Sequence, residues 1–365
     1  MEDMVSSWQG RRVFVTGHTG FKGGWLSLWL ATLGAKVRGY ALDPEGTQHL
    51  FSLISLGELI EDIRGDVRDL SSVQSAVSDF EPEVVFHLAA QPLVRRSYSD
   101  PLGTYATNVM GTANILEAVR TAKSVRAVVI VTTDKCYLNR EWVWPYRETD
   151  PLGGFDPYAS SKACAEIVTA AYRSSFFALG GLHDHGVAVA TARAGNVIGG
   201  GDWSEDRLIP DLIRGFLRGE PVKIRRPDAI RPWQHVLEPL KGYLTLAERL
   251  LGGDPRFSDA FNFGPDFEDT WNVRQIADYL TDLWSGRASW TDDQAPSAYE
   301  AHYLRLDSSK ARCELGWRPR LKIERALQWT IDWFRAWASG SDMRTKTLGQ
   351  VWEYAALCNS PLQDQ

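Results

Sequence analysis

Strand-length apolar runs alternating with helical stretches restrict the fold of this 365-residue chain more than any other feature. The runs are Arg12–Thr16, Lys36–Ala41, Val84–Leu88, Val128–Thr132 and Val187–Ala192. Between them fall Trp25–Leu33, Val73–Phe80 and Asn108–Ala122, with apolar residues at helical spacing. A further helix is expected to begin near Pro157. Short apolar strands joined by helical crossovers pair in parallel and bury both faces, so the order predicts an α/β fold on a doubly wound parallel sheet. After Asn196 the texture changes: Gly199, Gly200 and Gly201 crowd together, and Pro210, Pro221, Pro227 and Pro232 follow. We therefore expect a larger unit over 1–196, a smaller C-terminal lobe over 197–340 interleaved with returning core elements, and a polar tail over 341–365.

Hydrophobic residues make up 44% and charged ones 24%, the balance of a soluble globular protein. A formal net charge of -6 argues against nucleic acid as the main partner, since such proteins carry basic patches. The four cysteines, Cys136, Cys164, Cys313 and Cys358, show neither C-x-x-C nor Cys/His spacing, so no metal site is expected and reduced thiols are. No run reaches the length of a membrane span and no charged-then-apolar leader precedes the first strand, which points to the cytoplasm and away from a membrane.

Val13-Phe14-Val15-Thr16-Gly17-His18-Thr19-Gly20-Phe21-Lys22-Gly23 reads strand, turn, helix. Its G-x-x-G-x-x-G spacing departs from the dinucleotide fingerprint G-x-G-x-x-G, yet each glycine has a physical use. Gly17 permits the tight turn, Gly20 lets the backbone approach a pyrophosphate, and Gly23 lets helix and sheet pack closely. The helix start adds N–H donors and a partial positive charge. The fold is then of Rossmann type, with Gly17, His18, Thr19, Gly20, Phe21, Lys22 and Gly23 as the cofactor loop. Asp43, about twenty residues past Gly23, stands where an acid hydrogen-bonds a ribose 2′-hydroxyl. A 2′-phosphate would meet Asp43 and Glu45 with no basic residue immediately beside them, which favours NAD over NADP. The plainer reading is that Asp43-Pro44 opens a loop. Asp66 and Val67 are expected to reach the adenine, and Leu88, Ala89, Ala90 and Gln91 to form a small-residue strand end against the dinucleotide.

The run Ala127-Val128-Val129-Ile130-Val131 delivers Thr132, Thr133, Asp134 and Lys135 to the edge where open α/β sheets place their chemistry. An acid and a possible base stand side by side there. Downstream, Tyr158 and Lys162 are one helical turn apart and share a face. A tyrosine with its ordinary pKa of about 10 is a poor base, and the Lys162 ammonium and a nicotinamide charge are expected to lower it. Lys162 can also hold the nicotinamide ribose. His87, inside an apolar strand, reads as a core residue.

From about residue 11 to about residue 330 the chain resembles extended short-chain dehydrogenase/reductases acting on nucleotide sugars. The resemblance rests on Thr16-Gly-His-Thr-Gly-Phe-Lys-Gly23, Thr132-Thr-Asp-Lys-Cys-Tyr137, Tyr158-Ala-Ser-Ser-Lys162, Ala192-Arg-Ala-Gly-Asn196 and Arg231-Pro-Trp-Gln-His-Val236. Within that family 4-epimerases usually carry small or hydroxyl residues at positions 134 and 135, and the dTDP-sugar dehydratases carry Asp-Glu. Lys135 departs from both and points to the CDP-sugar dehydratases. The resemblance implies CDP-glucose as substrate and NAD as a bound catalyst: C4 is oxidised, water leaves across C5 and C6, and the hydride returns to C6. It implies Tyr158 as base for the 4-hydroxyl, Lys135 as base at C5, Asp134 as acid for the departing hydroxyl, and Thr133 as a hydrogen bond to O4. Asn108, Thr132, Tyr158 and Lys162 join the cofactor residues. Gln91, Thr133, Asn196, Arg207, Lys223, Arg225, Arg231 and His235 are the substrate residues. A homodimer or dimer of dimers is implied, through Asn108–Ala122 and Tyr158–Phe177, with Met110, Ile115, Leu116, Ile167, Val168 and Phe176 available for contact. Cytoplasmic deoxysugar and O-antigen biosynthesis is the implied setting.

Plainer readings stand beside these. Arg207, Lys223 and Arg225 also suit a solvated surface, and Lys135 also suits a carboxylate partner while another group takes the C5 proton. A 4-epimerase would use the glycine loop and Tyr158/Lys162 but need neither Asp134 nor Lys135. An inactive NAD-sensing scaffold of the same fold usually lacks the tyrosine or the lysine, and both are present here.

Overall fold

The computed structural model describes residues 6–44, 46, 48–293 and 301–360. Chain order gives strands β1 (Arg12–Thr16), β2 (Lys36–Ala41), β3 (Glu61–Arg64), β4 (Val84–His87), β5 (Ala127–Val131) and β6 (Ala188–Ala194). The short β7 (Val197–Ile198), β8 (Val222–Ile224) and β9 (Gln234–His235) follow, then β10 (Ala260–Phe263) and β11 (Trp290–Asp292). The longer helices are α1 (Phe21–Thr32), α2 (Leu70–Phe80), α3 (Gly111–Thr121), α4 (Pro157–Ser175), α5 (Leu208–Arg218), α6 (Leu237–Leu251), α7 (Val273–Trp284), α8 (Ile323–Ala338) and α9 (Met343–Asn359). Seven strands form one sheet in the order β3-β2-β1-β4-β5-β6-β10, each neighbour parallel. The order reverses between β1 and β4, the place where doubly wound sheets open a crevice at their carboxyl ends.

The pleat sends alternate residues to two cores. Val13 and Val15 of β1 join a large cluster with α1, α6 and α8, whereas Phe14 joins a second with Val73 of α2 and Leu116 of α3. Burial of β5 is complete along Ala127, Val128, Val129, Ile130 and Val131, as an interior parallel strand requires. Side-chain caps start α2 and α4: Asp69 accepts from the N–H groups of Ser71 and Ser72, and Asp156 from Ala159 just before Pro157 opens α4. Ile115 and Leu116, expected at a subunit surface, are fully buried in the second core, and Val168 is partly buried against it. Met110, Ile167 and Phe176 are exposed.

Two local differences from the expected elements have physical causes. β3 reads Glu-Asp-Ile-Arg and pairs on one side only, so an edge strand formed without an apolar run. The expected tail is instead the helix α9, whose buried side includes Thr347 and Gln350 beside Val351 and Tyr354, blurring an apolar stripe. β10 brings Phe261 and Phe263 from the second half to the edge of the main sheet.

Candidate active site

The glycine loop fits a dinucleotide. Gly17 has φ 77°, and a Cβ there would lie 2.7 Å from the backbone nitrogen of Ala89. A Cβ on Gly23 would run into the carbonyl oxygen of Gly17, so helix and turn touch only because it is absent. Gly20 caps α1 with extended backbone and no side-chain cap, and no acid occupies the first turn. That leaves the helix amino terminus suited to an anion. Thr16 Oγ1 accepts from the N–H groups of Leu88 and Ala89, both 3.1 Å, which fixes this strand end against the loop. It also lies 2.7 Å from His87 Nδ1, while His87 Nε2 lies 3.2 Å from Thr112 Oγ1. Burial lowers the His87 pKa to about 3, so the ring is a neutral core group.

Around this loop several expected cofactor residues turn elsewhere. His18 is fully buried beneath the loop, 2.7 Å from Asp62, and a side chain on Gly39 would collide with it. Asp43 is exposed, with Arg64 Nε at 3.5 Å. A basic residue therefore does stand beside Asp43, contrary to the expectation, because β3 brings Arg64 alongside the end of β2. Glu45 lies outside the described residues. Asp66 is paired with Arg68, and Val67 is buried against Gly111 with its carbonyl accepting from Asn114. Asn108 is buried in a single π-helical turn, Ala106–Met110. It accepts from the Gln91 N–H and donates to the Gln91 carbonyl and to Ser161, tying the β4 loop to α4. Gln91 in turn spends its side chain on Leu93 and Thr104.

The reacting residues converge on a cavity of about 370 Å³, within the range of ligand pockets. Thr133, Asp134, Lys135, Tyr158 and Lys162 line it, with Phe21, Lys22, Leu88, Ala90 and Thr132 on the loop side. Thr133 Oγ1 donates to Asp134 Oδ1 at 2.9 Å, and the Lys135 N–H donates to Thr133 Oγ1 at 3.3 Å. Asp134 is 2% exposed, and among the described residues its Oδ2 finds no hydrogen-bond partner. A Cβ on Gly195 would come 3.0 Å from that oxygen, so glycine leaves room for the carboxyl. Burial pushes the Asp134 carboxyl above the usual range against the pull of Lys135, Thr133, Arg231 and Lys22. The Tyr158 phenol is also raised, to about 12, by burial, opposed by a hydrogen bond to Thr133 and the Arg207 charge. Lys162 donates to the Val131 carbonyl at 3.2 Å, and burial lowers it to about 8. Burial together with Lys162 and Arg207 lowers Lys22 to about 7.

From the second half Asn196, Arg207, Lys223, Arg225 and Arg231 line the same cavity. His235 does not. It is fully buried between Trp25 and Trp329, at ring distances of 6.0 and 5.6 Å, and burial lowers it to about 3. That packing keeps the expected substrate residue His235 out of the cavity wall. Arg231 is 3% exposed and donates to the carbonyls of Ile230, Ala301 and His302, so it positions the cavity wall.

Sequence reasoning missed the polar layer under the site. Glu166 of α4 accepts from Thr132, Thr191 and Arg193, the last two at 2.8 and 2.7 Å. Arg193 Nη1 donates to the Tyr137 hydroxyl at 2.8 Å, and Tyr137 donates to Asn262 at 2.7 Å. A buried pair of this kind costs desolvation, which the added hydrogen bonds from Thr132 and Thr191 and to Tyr137 and the Glu148 carbonyl offset, although Arg193 Nε has no partner among the described residues. The one available signal was Arg193 inside an otherwise apolar strand.

Among the described residues no helix is long and apolar enough to cross a membrane, and no group of three His, Cys, Asp or Glu could hold a metal. The four cysteines are free thiols. The sequence model of the NAD dependent epimerase/dehydratase family matches residues 13–264. The chain is 52% identical over 347 residues to the CDP-glucose 4,6-dehydratase of Salmonella typhimurium, covering 95% of this chain and 97% of that protein. MoeE5, solved in complex with UDP-glucose and NAD, superimposes with a TM-score of 0.73 at 26% identity over 89% of this chain and 98% of that one. The dTDP-glucose 4,6-dehydratase DesIV of Streptomyces venezuelae shares the fold, with a TM-score of 0.76 at 23% identity over 91% of this chain and 99% of that one.

Proposed function

The chain belongs to the NAD dependent epimerase/dehydratase family, and from that membership we propose that it converts CDP-D-glucose to CDP-4-keto-6-deoxy-D-glucose and water, as a hydro-lyase. The 52% identity to a CDP-glucose 4,6-dehydratase over nearly the whole of both chains supports the substrate and the reaction. NAD, when bound, accepts hydride from C4 and gives it back to C6, so it is restored each cycle. Gly17 to Gly23 would hold its pyrophosphate, Asp43 its adenosine ribose, and Lys162 its nicotinamide ribose.

In this reading the Tyr158 hydroxyl, once ionised, takes the proton of the sugar 4-hydroxyl, and Thr133 hydrogen-bonds O4. Ketone formation at C4 acidifies the C5 proton, which Lys135 removes. Asp134 then protonates the departing C6 hydroxyl, and C5 takes a proton back once hydride has returned to C6. One observation carries the reading: a buried carboxyl, pushed above the usual range by desolvation, with one oxygen unpartnered among the described residues and lining the same cavity as Tyr158. An epimerase needs no such acid.

The same proposal includes a larger NAD-binding unit with a smaller nucleotide-sugar lobe beyond residue 196, a homodimer, a cytoplasmic location, and a role in deoxysugar and O-antigen supply. Incubation with CDP-, dTDP-, UDP- and GDP-glucose plus NAD tests the activity, read as alkali-developed absorbance of the keto product. Keto product from CDP-glucose is expected. A 4-epimer without keto product would replace the reading with epimerase, and turnover of dTDP-glucose alone would move the substrate.

A further inference from the structure

Three arginines that line the cavity are already paired, all with carboxylates of one loop. Arg207 Nη1 lies 3.0 Å from Asp202 Oδ2. Arg95 Nη1 lies 2.9 Å from Asp206 Oδ1, and Arg225 Nη1 lies 3.6 Å from the same oxygen. Arg95 follows β4, whereas Arg225 follows β8, so one carboxylate joins the two halves of the chain across the cavity that all three residues line. Asp206 reaches this position with φ 57°, a left-handed backbone that aspartate tolerates better than most residues.

The strengths of these pairs differ in a useful way. The side chain of Asp202 is 6% exposed and serves as a lasting partner for Arg207. Arg95, Asp206 and Arg225 are 52%, 37% and 26% exposed, and ion pairs so wetted are weak and exchangeable. A diphosphate offers more charge than one carboxylate and oxygens spaced for the planar arginine fork. It can therefore outcompete Asp206 for both guanidinium groups.

We propose that Arg95 is a further substrate residue, a diphosphate ligand shared with Arg225, and that Asp206 occupies the pair until the diphosphate displaces it. This rests on the reading of the cavity as a nucleotide-diphosphate-sugar site and deepens it. No bond is made or broken in the exchange. One carboxylate passes to solvent as two guanidinium groups change partner, and product release reverses the step.

Calorimetric titration with CDP and with inorganic pyrophosphate, at fixed ionic strength, tests the exchange. Removing the competitor by Asp206→Asn is expected to tighten CDP about fivefold, the scale of two exposed pairs. Glu205→Gln removes an equal charge from the adjacent exposed position, and is expected to change affinity by under about twofold through long-range charge alone. Arg95→Ala is expected to weaken CDP and pyrophosphate alike and, combined with Asp206→Asn, to cut the gain to the share carried by Arg225, about twofold. Unchanged or weaker CDP binding by Asp206→Asn would overturn the proposal, as would a gain that survives undiminished in the Arg95→Ala background. If this pattern holds while CDP-glucose yields no keto product, the exchange stands and the reaction assignment falls. If keto product forms and the pattern is absent, the reverse is true.

Discussion

Burial raises both Asp134 and Tyr158, with opposite consequences for the roles proposed for them. A raised carboxyl is better matched to act as an acid near neutral pH, while a raised phenol is a poorer base there. Tyr158 therefore depends on cations gathered at the site, and Arg207 already acts in that direction. Tyr158→Phe is expected to cut the first oxidation by at least about a hundredfold, the lower scale of general base catalysis, with no exchange of the C5 proton into deuterated solvent. Asp134→Asn is expected to keep oxidation and C5 exchange while slowing loss of the C6 hydroxyl. Lys135→Met is expected to keep oxidation and suppress both later steps, and rapid C5 exchange in that protein would demote Lys135 to an electrostatic role. Asp43→Ala is expected to weaken NAD and narrow its advantage over NADP, with Arg64 still held by Asp62 at 2.8 Å; equilibrium binding of both nucleotides reads this directly. The motifs named these residues well where the backbone does the work, at Gly17 and Gly23. Spacing alone does not say which way a side chain turns, and so His18, Gln91, Asn108 and His235 were legible as positions but not as partners.

The helices and strands were readable wherever one physical signal dominated. β1 and β5 are largely buried apolar runs, and α4 announces itself with Asp156 and Pro157. β3 and α9 were not readable, because an edge strand needs no apolar face and a helix held partly by polar contacts shows no clean stripe. One such contact fixes α9 to α6. Glu238 accepts from the Tyr354 hydroxyl at 2.6 Å and from the N–H groups of Arg320 and Leu321 at 2.8 and 2.7 Å. Burial raises this carboxyl to about 7. Its folded pKa lies above its unfolded one, so the stability it contributes is present below pH of about 4.5 and is lost as pH rises through about 7. Glu238→Gln is expected to remove that dependence. Relative to the variant, the native protein should lose about 1–3 kcal/mol between pH 5 and pH 8, read by urea unfolding at each pH. Equal pH profiles for the two proteins would show that Glu238 is ionised throughout.

At the scale of the whole molecule, three of the exposed large apolar residues belong to two helices that pack on each other: Met110 just before α3, Ile167 on α4 and Phe176 at its end. Met110, Ile167 and Phe176 are 55%, 56% and 50% exposed, whereas Ile115 and Leu116 face the core. Large side chains left in water on adjacent helices suit a second copy of the chain. Ile167→Glu combined with Phe176→Glu is expected to yield monomers without loss of the sheet, measured by sedimentation and circular dichroism. A native protein that sediments as a stable monomer when dilute would remove the homodimer from the proposal.

β10 has a consequence for the order in which the protein is made. Ala260–Phe263 lies beside Thr191–Ala194 of β6, yet the whole of β7, β8, β9, α5 and α6 is synthesised between the two. Until Phe263 emerges from the ribosome, β6 presents a bare row of amide and carbonyl groups, the kind of edge that recruits strands from other chains. The last third of the polypeptide thus acts as a lid on the nascent sheet, and a stalled or clipped product ending before Ala260 is expected to aggregate even though every motif of the cofactor loop is already in place.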